Sequence, residues 1–533
     1  MLIKAHVKRN TYFDSITLMK IARSLTDMPG IEDAAAIMAT EPNLQLLADA
    51  GLTPPEVKAN PADVLLVVRA SDEATAEAAL QSAEEQLTQR NLGASLVGTL
   101  GAIGVAPQPR SLEQAVAQHP EARLAVISVP GPYAALESER ALRAGLHVFL
   151  FSDNVPLEDE IALKHLAQER DLLLMGPDCG TAMLNGVGLG FVNVVPQGPI
   201  GIVGASGTGI QQVMSLIAQR GSGVSQVIGC GGRDLSEAVA AITTLQGLRL
   251  LQADEQTQVI VIISKPPAPS VAERIIEAAA AANKPVVVMF VGADQEALQT
   301  RYSDRIKIAR TLAEAAQQAI ALTMRGGAVS GGATQNVVAP LVGAMGMGAV
   351  GGGAQRRMVG LFSGGTLCDE AMHIWAKQLG PIYSNIPLNP AWRLLEGRRG
   401  AIYRAPVGQG HCAIDFGADE YTRGRPHPMI DPSLRLKRLQ EEAGDPGVGV
   451  ILLDIVLGYC SHPDPATVYA PAILSAREQA AREGRELHCI ISLCGTEDDP
   501  QRLSVQASKF REAGAEIFTS NADAAMRCIE LVM

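Results

Sequence analysis

The chain has 533 residues, which is enough for three or four domains of ordinary size. Its net charge is −12 and only 4% of its residues are aromatic, which excludes the basic, aromatic-rich surfaces that bind nucleic acid and argues against an anionic membrane as partner. The eight cysteines show no CxxC pair and no metal-ligand spacing, so we expect buried cysteines in a reducing cytoplasm and no metal site.

Residues 1–100 predict a small α+β domain. Short apolar strands alternate with amphipathic helices, which is typical of a ferredoxin-like two-layer sandwich. The predicted strands are 2–7, 31–38 and 63–69, and the predicted helices are 13–24, 44–50 and 73–87. A polar stretch near 92–110 is expected to link onward. The first residues lack a signal peptide's apolar core, and no apolar run is long enough to cross a bilayer, so we expect a cytoplasmic protein.

Residues 111–195 predict a Rossmann-like domain. Three apolar strands each end in a loop rich in Gly, Pro, Asp and Ser, which is typical of a parallel sheet with ligand-binding loops at one edge. Two of these loops are Ser152-Asp153-Asn154 and Gly176-Pro177-Asp178-Cys179-Gly180-Thr181. The candidate substrate- or cofactor-binding residues are Ser152, Asp153, Asn154, Pro177 and Asp178.

The rest of the chain shows one pattern twice, at 201–292 and at 358–495. Each copy reads as strand, glycine turn, helix, second glycine turn, strand, helix and strand. We therefore expect two flavodoxin-like α/β domains, at 196–325 and 358–533, that arose by duplication. A Gly- and Ala-rich segment, 326–357, is expected to be a linker, because it has too few bulky side chains to build a core.

A glycine turn leads into a helix at the same point of both copies. Backbone N–H groups and the helix dipole favour an anion at such a turn, and hydroxyl groups add donors. Neither turn is a P-loop, because no lysine follows in register. We expect an anion such as phosphate between the two helix N-termini; the alternative is a turn that needs glycine for geometry alone. The predicted anion-binding residues are Ser206, Gly207, Thr208, Gly209, Gly364, Gly365 and Thr366.

A second glycine turn in the first copy carries Arg233. Its guanidinium would clamp a carboxylate or a phosphate beside the amide-rich loop. The alternative is a surface turn of Arg233 and Asp234 in which Asp234 caps the next helix.

The matching loop of the second copy is stiffened by three prolines between 426 and 432. We expect Arg425, His427 and Asp431 to converge there. His427 would contact the substrate; the alternative is an ordinary loop histidine hydrogen-bonded to the backbone.

Three further residues lie at strand ends or helix starts. Lys265 ends a strand of the first copy and would neutralise a phosphate. His462, at the equivalent place of the second copy, is either an acid–base group or a residue that precedes a helix. Cys368 is either a thiol activated by a helix N-terminus or core filler, and we favour core filler.

These motifs resemble those of the succinyl-CoA synthetase superfamily, above all its FdrA-type (FdrA/YahF-like) branch. The resemblance covers essentially the whole chain and rests on residues 151–155, 175–181, 204–209, 231–236, 364–367 and 424–432. It implies a CoA-binding-type domain at 111–195, an α-subunit-type ligase domain at 196–325 and a β-subunit-type ligase domain at 358–533. The glycine-turn helices would be the family's phosphate-stabilising pair, and residues 1–100 a family-specific domain.

Several departures limit what the resemblance implies. Superfamily members carry phosphate on a histidine after the strand equivalent to 286–291, but here that place reads Gly292-Ala293-Asp294-Gln295. The supporting glutamates are replaced by Ser264-Lys265-Pro266-Pro267. The opening Rossmann strand that grips CoA and an ATP-grasp domain are also missing. The full ATP-dependent ligation is therefore not expected of this chain alone.

The resemblance implies instead a subunit of an acyl or carbamoyl transferase without a phosphohistidine. Some members of the branch are linked to an oxamate carbamoyltransferase of allantoin breakdown, in which oxalurate and phosphate give oxamate and carbamoyl phosphate. The substrates would be phosphate or carbamoyl phosphate and a small carboxylate or amide, contacted by Arg233, Arg425 or His427. The expected partners are other subunits of a hetero-complex, or a second copy. CoA is an alternative ligand, and the alternative functions are an acyl-CoA synthetase subunit and a non-catalytic binding subunit.

Overall fold

The computed structural model describes residues 2–9, 11, 13, 15–26, 28–52, 59–100, 109–302, 306–326, 357–394, 410–422 and 425–533. The chain forms two compact units that divide between Arg110 and Ser111. Apart from its ends, the predicted linker 326–357 lies outside the described residues and stays a prediction. Within the described ranges, no helix is long and apolar enough to cross a membrane.

The first unit is a three-stranded antiparallel sheet with helices on both faces. Its elements are β1 (Leu2–Lys8), α1 (Ser15–Thr26), β2 (Ile31–Met38), α2 (Glu41–Asp49), β3 (Val64–Ala70) and α3 (Glu73–Leu100). β3 lies between β1 and β2 and is antiparallel to both, which is the split β-α-β arrangement of ferredoxin-like folds. Successive residues of β3 face opposite sides, so Leu66 and Val68 join one core while Leu65 and Val67 join another. The ferredoxin-like prediction is confirmed, although α3 continues past the predicted end at 87 into the expected linker.

The second unit begins with a small parallel sheet. Its elements are α4 (Leu112–Gln118), β4 (Leu124–Ile127), α5 (Gly131–Arg143), β5 (His147–Leu150), α6 (Leu157–Glu169) and β6 (Leu174–Met175). The strand order is β4-β5-β6, so the loops after β5 and β6 emerge at one edge. The next two strands, β7 (Thr181–Leu184) and β8 (Val187–Gly190), form a hairpin that joins the following sheet through Met183 and Val227. The chain therefore leaves the small sheet before Thr181, earlier than the predicted boundary at 195.

The next sheet is built from the first copy of the repeated pattern. Its elements are β9 (Gln197–Ala205), α7 (Gly207–Gln219), β10 (Val224–Gly229), α8 (Ile242–Ala253), β11 (Val259–Ser264), α9 (Pro269–Ala280), β12 (Val286–Phe290), α10 (Gln295–Tyr302), β13 (Lys307–Ile308) and α11 (Leu312–Gly326). The strand order is β13-β12-β11-β9-β10-β7-β8, and β9 to β13 are parallel. In chain order these five strands have the 2-1-3-4-5 arrangement of flavodoxin-like folds.

The last sheet is built from the second copy. Its elements are β14 (Arg357–Phe362), α12 (Gly365–Leu379), β15 (Ile382–Ser384), β16 (His411–Asp415), α13 (Asp419–Thr422), α14 (Ser433–Ala443), β17 (Val448–Val456), α15 (Pro465–Arg482), β18 (His488–Cys494), α16 (Leu503–Glu512), β19 (Glu516–Phe518) and α17 (Asn521–Val532). The order is β15-β16-β14-β17-β18-β19, all parallel. With β15 set aside as an extra edge strand, the order is again 2-1-3-4-5, so the two copies share one topology.

Four helices lie between the two large sheets. Apolar side chains of α7, α11, α12 and α17 share one buried core with strands of both sheets, including Ile210, Leu312, Trp375 and Ile529. The Trp375 indole N–H donates to the Ala525 carbonyl at 2.9 Å, which fixes α12 against α17. Because α7 and α12 follow equivalent strands, they start at the same edge of this layer, at the switch point where ligands bind in such sheets.

Candidate functional site

The N-termini of α7 and α12 are in direct contact. The Ser206 hydroxyl caps α7 by accepting from the Gly209 N–H at 3.0 Å, and it donates to Thr366 Oγ1 at 2.6 Å. A methyl group added at Gly364 would be 2.6 Å from Thr208 Oγ1, so the threonine lies directly on this glycine. The structure therefore brings the two predicted glycine turns together, but they touch instead of leaving a gap between them.

A buried carboxylate holds the turn that leads into α12. Asp454 is 0% exposed and accepts from the Ser363 N–H at 2.7 Å and the Gly364 N–H at 2.8 Å. Arg435 donates to the same carboxylate at 2.8 Å and forms a buried ion pair with it. These bonds occupy N–H groups that precede the helix. The first turn itself, from Gly365, has no side-chain cap, because Gly364 has no side chain.

Lys265 reaches the first residue of α12 from the end of β11. A Cβ on Gly365 would lie 2.7 Å from Lys265 Nζ and 2.7 Å from Asp415 Oδ2, so the two charged groups meet over this glycine. The Asp369 carboxylate is 3.7 Å from the same ammonium. Burial alone would lower the pKa of Lys265, but the charges of Asp369 and Asp415 outweigh it and raise the pKa, so the ammonium stays charged at neutral pH.

Asp415, which ends β16, is a site residue that sequence reasoning missed. Its side chain is buried and accepts from the Gly417 N–H at 2.9 Å. Burial raises the pKa of Asp415 to about 7, and the nearby Lys265 offsets only part of this effect. The signal in the sequence was weak: a carboxylate at the end of the strand equivalent to β10.

The two loops predicted from the small sheet lie side by side. The Asp178 N–H donates to the Ser152 carbonyl at 2.9 Å, and Gly232 lies beside the Asp178 carboxylate. The Asp178 side chain reaches solvent but is crowded by protein atoms. This desolvation, together with the charges of Asp153 and Asp419, raises the pKa of Asp178 to about 7. The second copy and the small domain thus both contribute carboxylates near Lys265, which belongs to the first copy.

Ser152, Asn154 and Pro177 shape these loops through close packing. The Ser152 hydroxyl is buried, 3.5 Å from the Ile127 carbonyl. Asn154 has a left-handed backbone with a φ of 53°, and its carbonyl approaches so closely that a Cβ at Gly131 would be 2.4 Å away. Asp153 and Asp178 are therefore the members of this group that present charge to the site.

Most of the Arg233 guanidinium is already bonded to other groups of the protein. Its Nε is 2.8 Å from Glu160 Oε2, and a terminal nitrogen donates to the Val155 carbonyl at 2.6 Å. This leaves only part of the guanidinium for the predicted contact with a substrate. Asp234 accepts from the Thr243 and Thr244 N–H groups at the start of α8, but it is fully buried, and the N-cap residue is Ala241 and not Asp234 as the alternative interpretation expected.

His427 is half-buried against Phe191, with ring centroids 5.3 Å apart. Its Nδ1 accepts from the Met429 N–H at 3.3 Å, and its Nε2 faces Gly417, next to Asp415. Burial lowers the pKa of His427 to about 4, and the charge of Arg435 acts in the same direction. At neutral pH the ring is therefore an uncharged donor through Nε2.

Arg425 and Asp431 line a cavity of about 120 Å³ with Phe416, Tyr421 and Pro428. Because Phe416 follows Asp415 directly, this cavity adjoins the site. His427 does not line it. The structure thus brings together two of the three residues predicted to converge in this loop.

The positions of Cys368 and His462 indicate structural roles for both residues. Cys368 is 0% exposed, and burial raises the pKa of its thiol well above the ordinary value, in agreement with core filler. The His462 N–H donates to the Met429 carbonyl at 2.8 Å, and Nδ1 accepts from the Asp464 N–H at 3.1 Å, which fixes the start of α15.

Thr181 is the second site residue that sequence reasoning did not select. It is 1% exposed, and its hydroxyl has no hydrogen-bond partner among the atoms that the structure describes. This hydroxyl is 3.3 Å from the place where a Cβ of Gly207 would stand, beside the first residue of α7. A buried hydroxyl without a partner costs about 1–3 kcal/mol, so a bound acceptor there would be stabilised.

No group of three or more potential metal ligands occurs in the ranges that the structure describes. The first unit has no cysteine and a single histidine, His6, which lies 3.6 Å from Glu84. This donor set does not fit a thiolate-bound soft metal.

Three family models match the chain. One described as AllF, heavy metal-associated domain, matches residues 1–97; one described as CoA binding domain matches 196–292; and one described as CoA-ligase matches 361–528. The CoA-binding match falls on the first flavodoxin-like domain, so the assignment of a CoA-binding-type domain to 111–195 stays a prediction. The segment that matches the heavy metal-associated domain contains no cysteine.

Among relatives, the chain is 41% identical over its full length to the uncharacterized protein YahF of Escherichia coli, of which it covers 99%. It is 30% identical to the succinate–CoA ligase [ADP-forming] subunit alpha 2 of Archaeoglobus fulgidus over 31% of this chain and 56% of that subunit. An ATP citrate lyase structure from Methanothrix soehngenii aligns with 43% of each chain at 16% identity and a TM-score of 0.36. A likeness at that level adds nothing to the match with YahF.

Proposed function

The chain belongs to the FdrA/YahF-type family of succinyl-CoA-synthetase-like proteins, and we propose that it is a subunit of an acyl- or carbamoyl-transferring enzyme that binds phosphate beside the paired N-termini of α7 and α12. One observation carries this proposal. The two helix starts meet through Thr208 and Thr366 where the Lys265 ammonium reaches the first turn of α12.

The phosphate would lie over Gly365, beside the contact between the helices. The first-turn N–H groups of α12, the Thr208 hydroxyl and the Lys265 ammonium would donate to its oxygens. The unpartnered Thr181 hydroxyl offers a further donor on the side of α7. Asp415 opposes the anion while it is ionised, but its pKa of about 7 lets it take up a proton when phosphate binds.

The carboxyl groups of Asp415 and Asp178 are suited to the proton transfer that the reaction needs. When phosphate attacks a carbamoyl carbon, the C–N bond breaks and the departing nitrogen takes a proton. A carboxyl group with a pKa near 7 supplies that proton at neutral pH and recovers it in the reverse direction. Asp415 and Asp178 both have a pKa of about 7. No phosphohistidine is required, since positioning and charge stabilisation suffice for this step.

The cavity at Arg425 suits the other substrate. Its volume of about 120 Å³ fits a small acid, and the guanidinium of Arg425 would pair with a carboxylate such as that of oxamate. The other subunits of a hetero-complex would complete the enzyme.

The test is a thermal-shift titration of the purified chain with inorganic phosphate, carbamoyl phosphate and CoA in parallel. A ligand that binds only the folded state raises the apparent melting temperature. We expect phosphate and carbamoyl phosphate to raise it in wild type and in Lys437→Met, an exposed control, and to raise it less in Lys265→Met and Thr208→Ala. Equal shifts in all four proteins, or no shift with either phosphate compound, would contradict the proposal.

The second candidate function is an acid–thiol ligase subunit, which is favoured by the CoA-ligase and CoA-binding family matches. It predicts saturable binding of CoA at low concentration and formation of a thioester when the partner subunits supply an activated acyl group. A shift with CoA alone in the same titration would favour this candidate over the transferase.

A further inference from the structure

A second polar cavity lies away from the helix contact, between α6, α8 and α9. Its volume is about 240 Å³. One part of its wall is cationic or ionisable, formed by His165 of α6, Arg249 of α8 and Arg274 of α9. Apolar side chains also line it, namely Val239, Ile242 and Leu245. The cavity therefore offers both cationic groups for an anion and apolar side chains for an organic group.

The basic side chains of this cavity have no internal counter-ion. In the part of the chain that the structure describes, neither arginine forms an ion pair, and His165 forms none. Two carboxylates that could pair with them have other partners: Glu273, next to Arg274, lies 2.7 Å from Arg301, and the buried Asp234 lies 2.6 Å from Lys164. Arg249 and Arg274 are both exposed, and no carboxylate is among the residues that line the cavity, so an anion from solvent can reach both guanidinium groups.

The loop that forms the edge of the cavity has a strained backbone. Ala240 and Ala241 both have a left-handed conformation, each with a φ of 58°. Residues with a Cβ rarely adopt this conformation, and such strain collects at ligand-binding segments. Ala240 lines the cavity, and Ala241 is the N-cap of α8, which supplies further lining residues.

We propose that this cavity is a separate binding site for a small phosphate monoester, whose phosphate pairs with Arg249 and Arg274 and whose organic part packs on Val239, Ile242 and Leu245. Two guanidinium groups match the oxygens of one phosphate, and the cavity has room beyond that group. The site is independent of the phosphate site proposed at α12.

The test uses phenyl phosphate, inorganic phosphate and phenol in calorimetric titrations of the full chain. We expect saturable binding of phenyl phosphate and none of phenol. The affinity for phenyl phosphate should fall at least tenfold in Arg249→Gln/Arg274→Gln. It should stay unchanged in Lys437→Gln/Arg511→Gln, which removes the same charge from exposed positions.

A selenate soak of crystals locates the anion directly. Anomalous density between Arg249 and Arg274 supports the site, and its absence from this cavity overturns it. The titration separates the two sites as well. If Lys265→Met abolishes phenyl phosphate binding while the double arginine variant leaves it intact, the further site is excluded and the site at α12 stands. If only the double arginine variant abolishes it, the further site is supported whatever the fate of the α12 site.

Discussion

Ser206 and Thr366 are 160 residues apart in the chain, yet their hydroxyl oxygens are 2.6 Å apart. Ser206 is the N-cap of α7, and Thr366 is the second residue of α12. The reciprocal contact joins Thr208, the second residue of α7, to Gly364, the N-cap of α12. Each helix therefore presents its cap to the second residue of the other, which is the pattern of an isologous interface between two copies related by an approximate two-fold axis. Within one chain, the duplication has preserved the geometry of a symmetric dimer.

Gly364→Ala should separate these helix ends. The added methyl group would lie 2.6–2.8 Å from three atoms of Thr208, so one helix must shift. Overpacking of this kind costs typically 1–3 kcal/mol in the free energy of unfolding, measured by urea denaturation. Thr208→Gly removes all three atoms, so the double variant should lose less than the sum of the two single variants. Strict additivity would show that the two residues are not in contact.

Lys265→Met should weaken phosphate binding at least tenfold, because it removes the cation that faces the first turn of α12. The raised pKa of Lys265 keeps the ammonium charged at neutral pH, so the affinity should fall as the pH rises past about 7 only because ionised Asp415 then opposes the anion. Calorimetry with inorganic phosphate measures both effects, provided that the Arg249→Gln/Arg274→Gln background removes the second site. Lys265→Arg should retain most of the affinity. Equal affinity in the methionine and arginine variants would place the anion elsewhere.

The fold was largely predictable because its signals are local and repeated. Two copies of strand, glycine turn and helix predicted two domains of one topology, and the strand order 2-1-3-4-5 in both sheets agrees. The sequence also predicted that Lys265 and the segment near His462 lie at equivalent positions, and both do come after the third strand of their copies. The hairpin 181–190 was not predicted, because the contact of Met183 with Val227 that joins it to the following sheet is not revealed by periodicity.

The site was harder to predict because its chemistry depends on burial. Asp415 and Asp454 read as ordinary strand-end carboxylates, and only the structure shows that one is held near Lys265 and the other under the turn of α12. Arg233 had the right residue type and the right loop, but Glu160, 73 positions earlier, occupies much of its guanidinium. Such pairings join distant parts of the chain and leave no local pattern.

Asp415→Asn should change how stability depends on pH. The pKa of Asp415 rises from 3.8 to about 7 on folding, so between these values the folded state binds a proton that the unfolded chain has released. The contribution of Asp415 therefore favours folding below about pH 4 and is lost as the pH rises to about 7. Across this window the stability of wild type relative to Asp415→Asn should fall by up to roughly 4 kcal/mol, an upper limit for a buried acid near a lysine.

Urea denaturation at several pH values between 4 and 8 measures this difference. Asp498→Asn, at an exposed position outside this site, is the control and should follow wild type in parallel. A difference between wild type and Asp415→Asn that does not change with pH would mean that Asp415 is ionised throughout this range and is not the proton donor proposed here.

The opposite slope is expected for His427. Its pKa falls from 6.5 to about 4 on folding. Between these two pH values the unfolded chain therefore binds a proton at His427 that the folded state does not bind. The contribution of His427 is present above about pH 6.5 and is lost as the pH falls toward 4. Histidine-selective NMR should show one ring that titrates only below pH 5 and disappears in His427→Gln. A ring that titrates near 6.5 instead would mean that His427 is solvated and free to act as a cation toward substrate.

Asp454 links stability to the geometry of α12. Asp454→Ala would leave the buried Arg435 guanidinium without its ion-pair partner and free the Ser363 and Gly364 N–H groups that hold the turn. Breaking a buried pair from one side costs about 3–5 kcal/mol, whereas replacing both partners costs much less. Asp454→Asn/Arg435→Met should therefore be more stable than Asp454→Ala in urea denaturation. Glu478→Ala, which breaks an exposed pair with Arg482, should cost less than about 1 kcal/mol. A loss in Asp454→Ala no larger than in Glu478→Ala would mean that the turn is held by the glycine backbone alone, and that the carboxylate does not fix the start of α12.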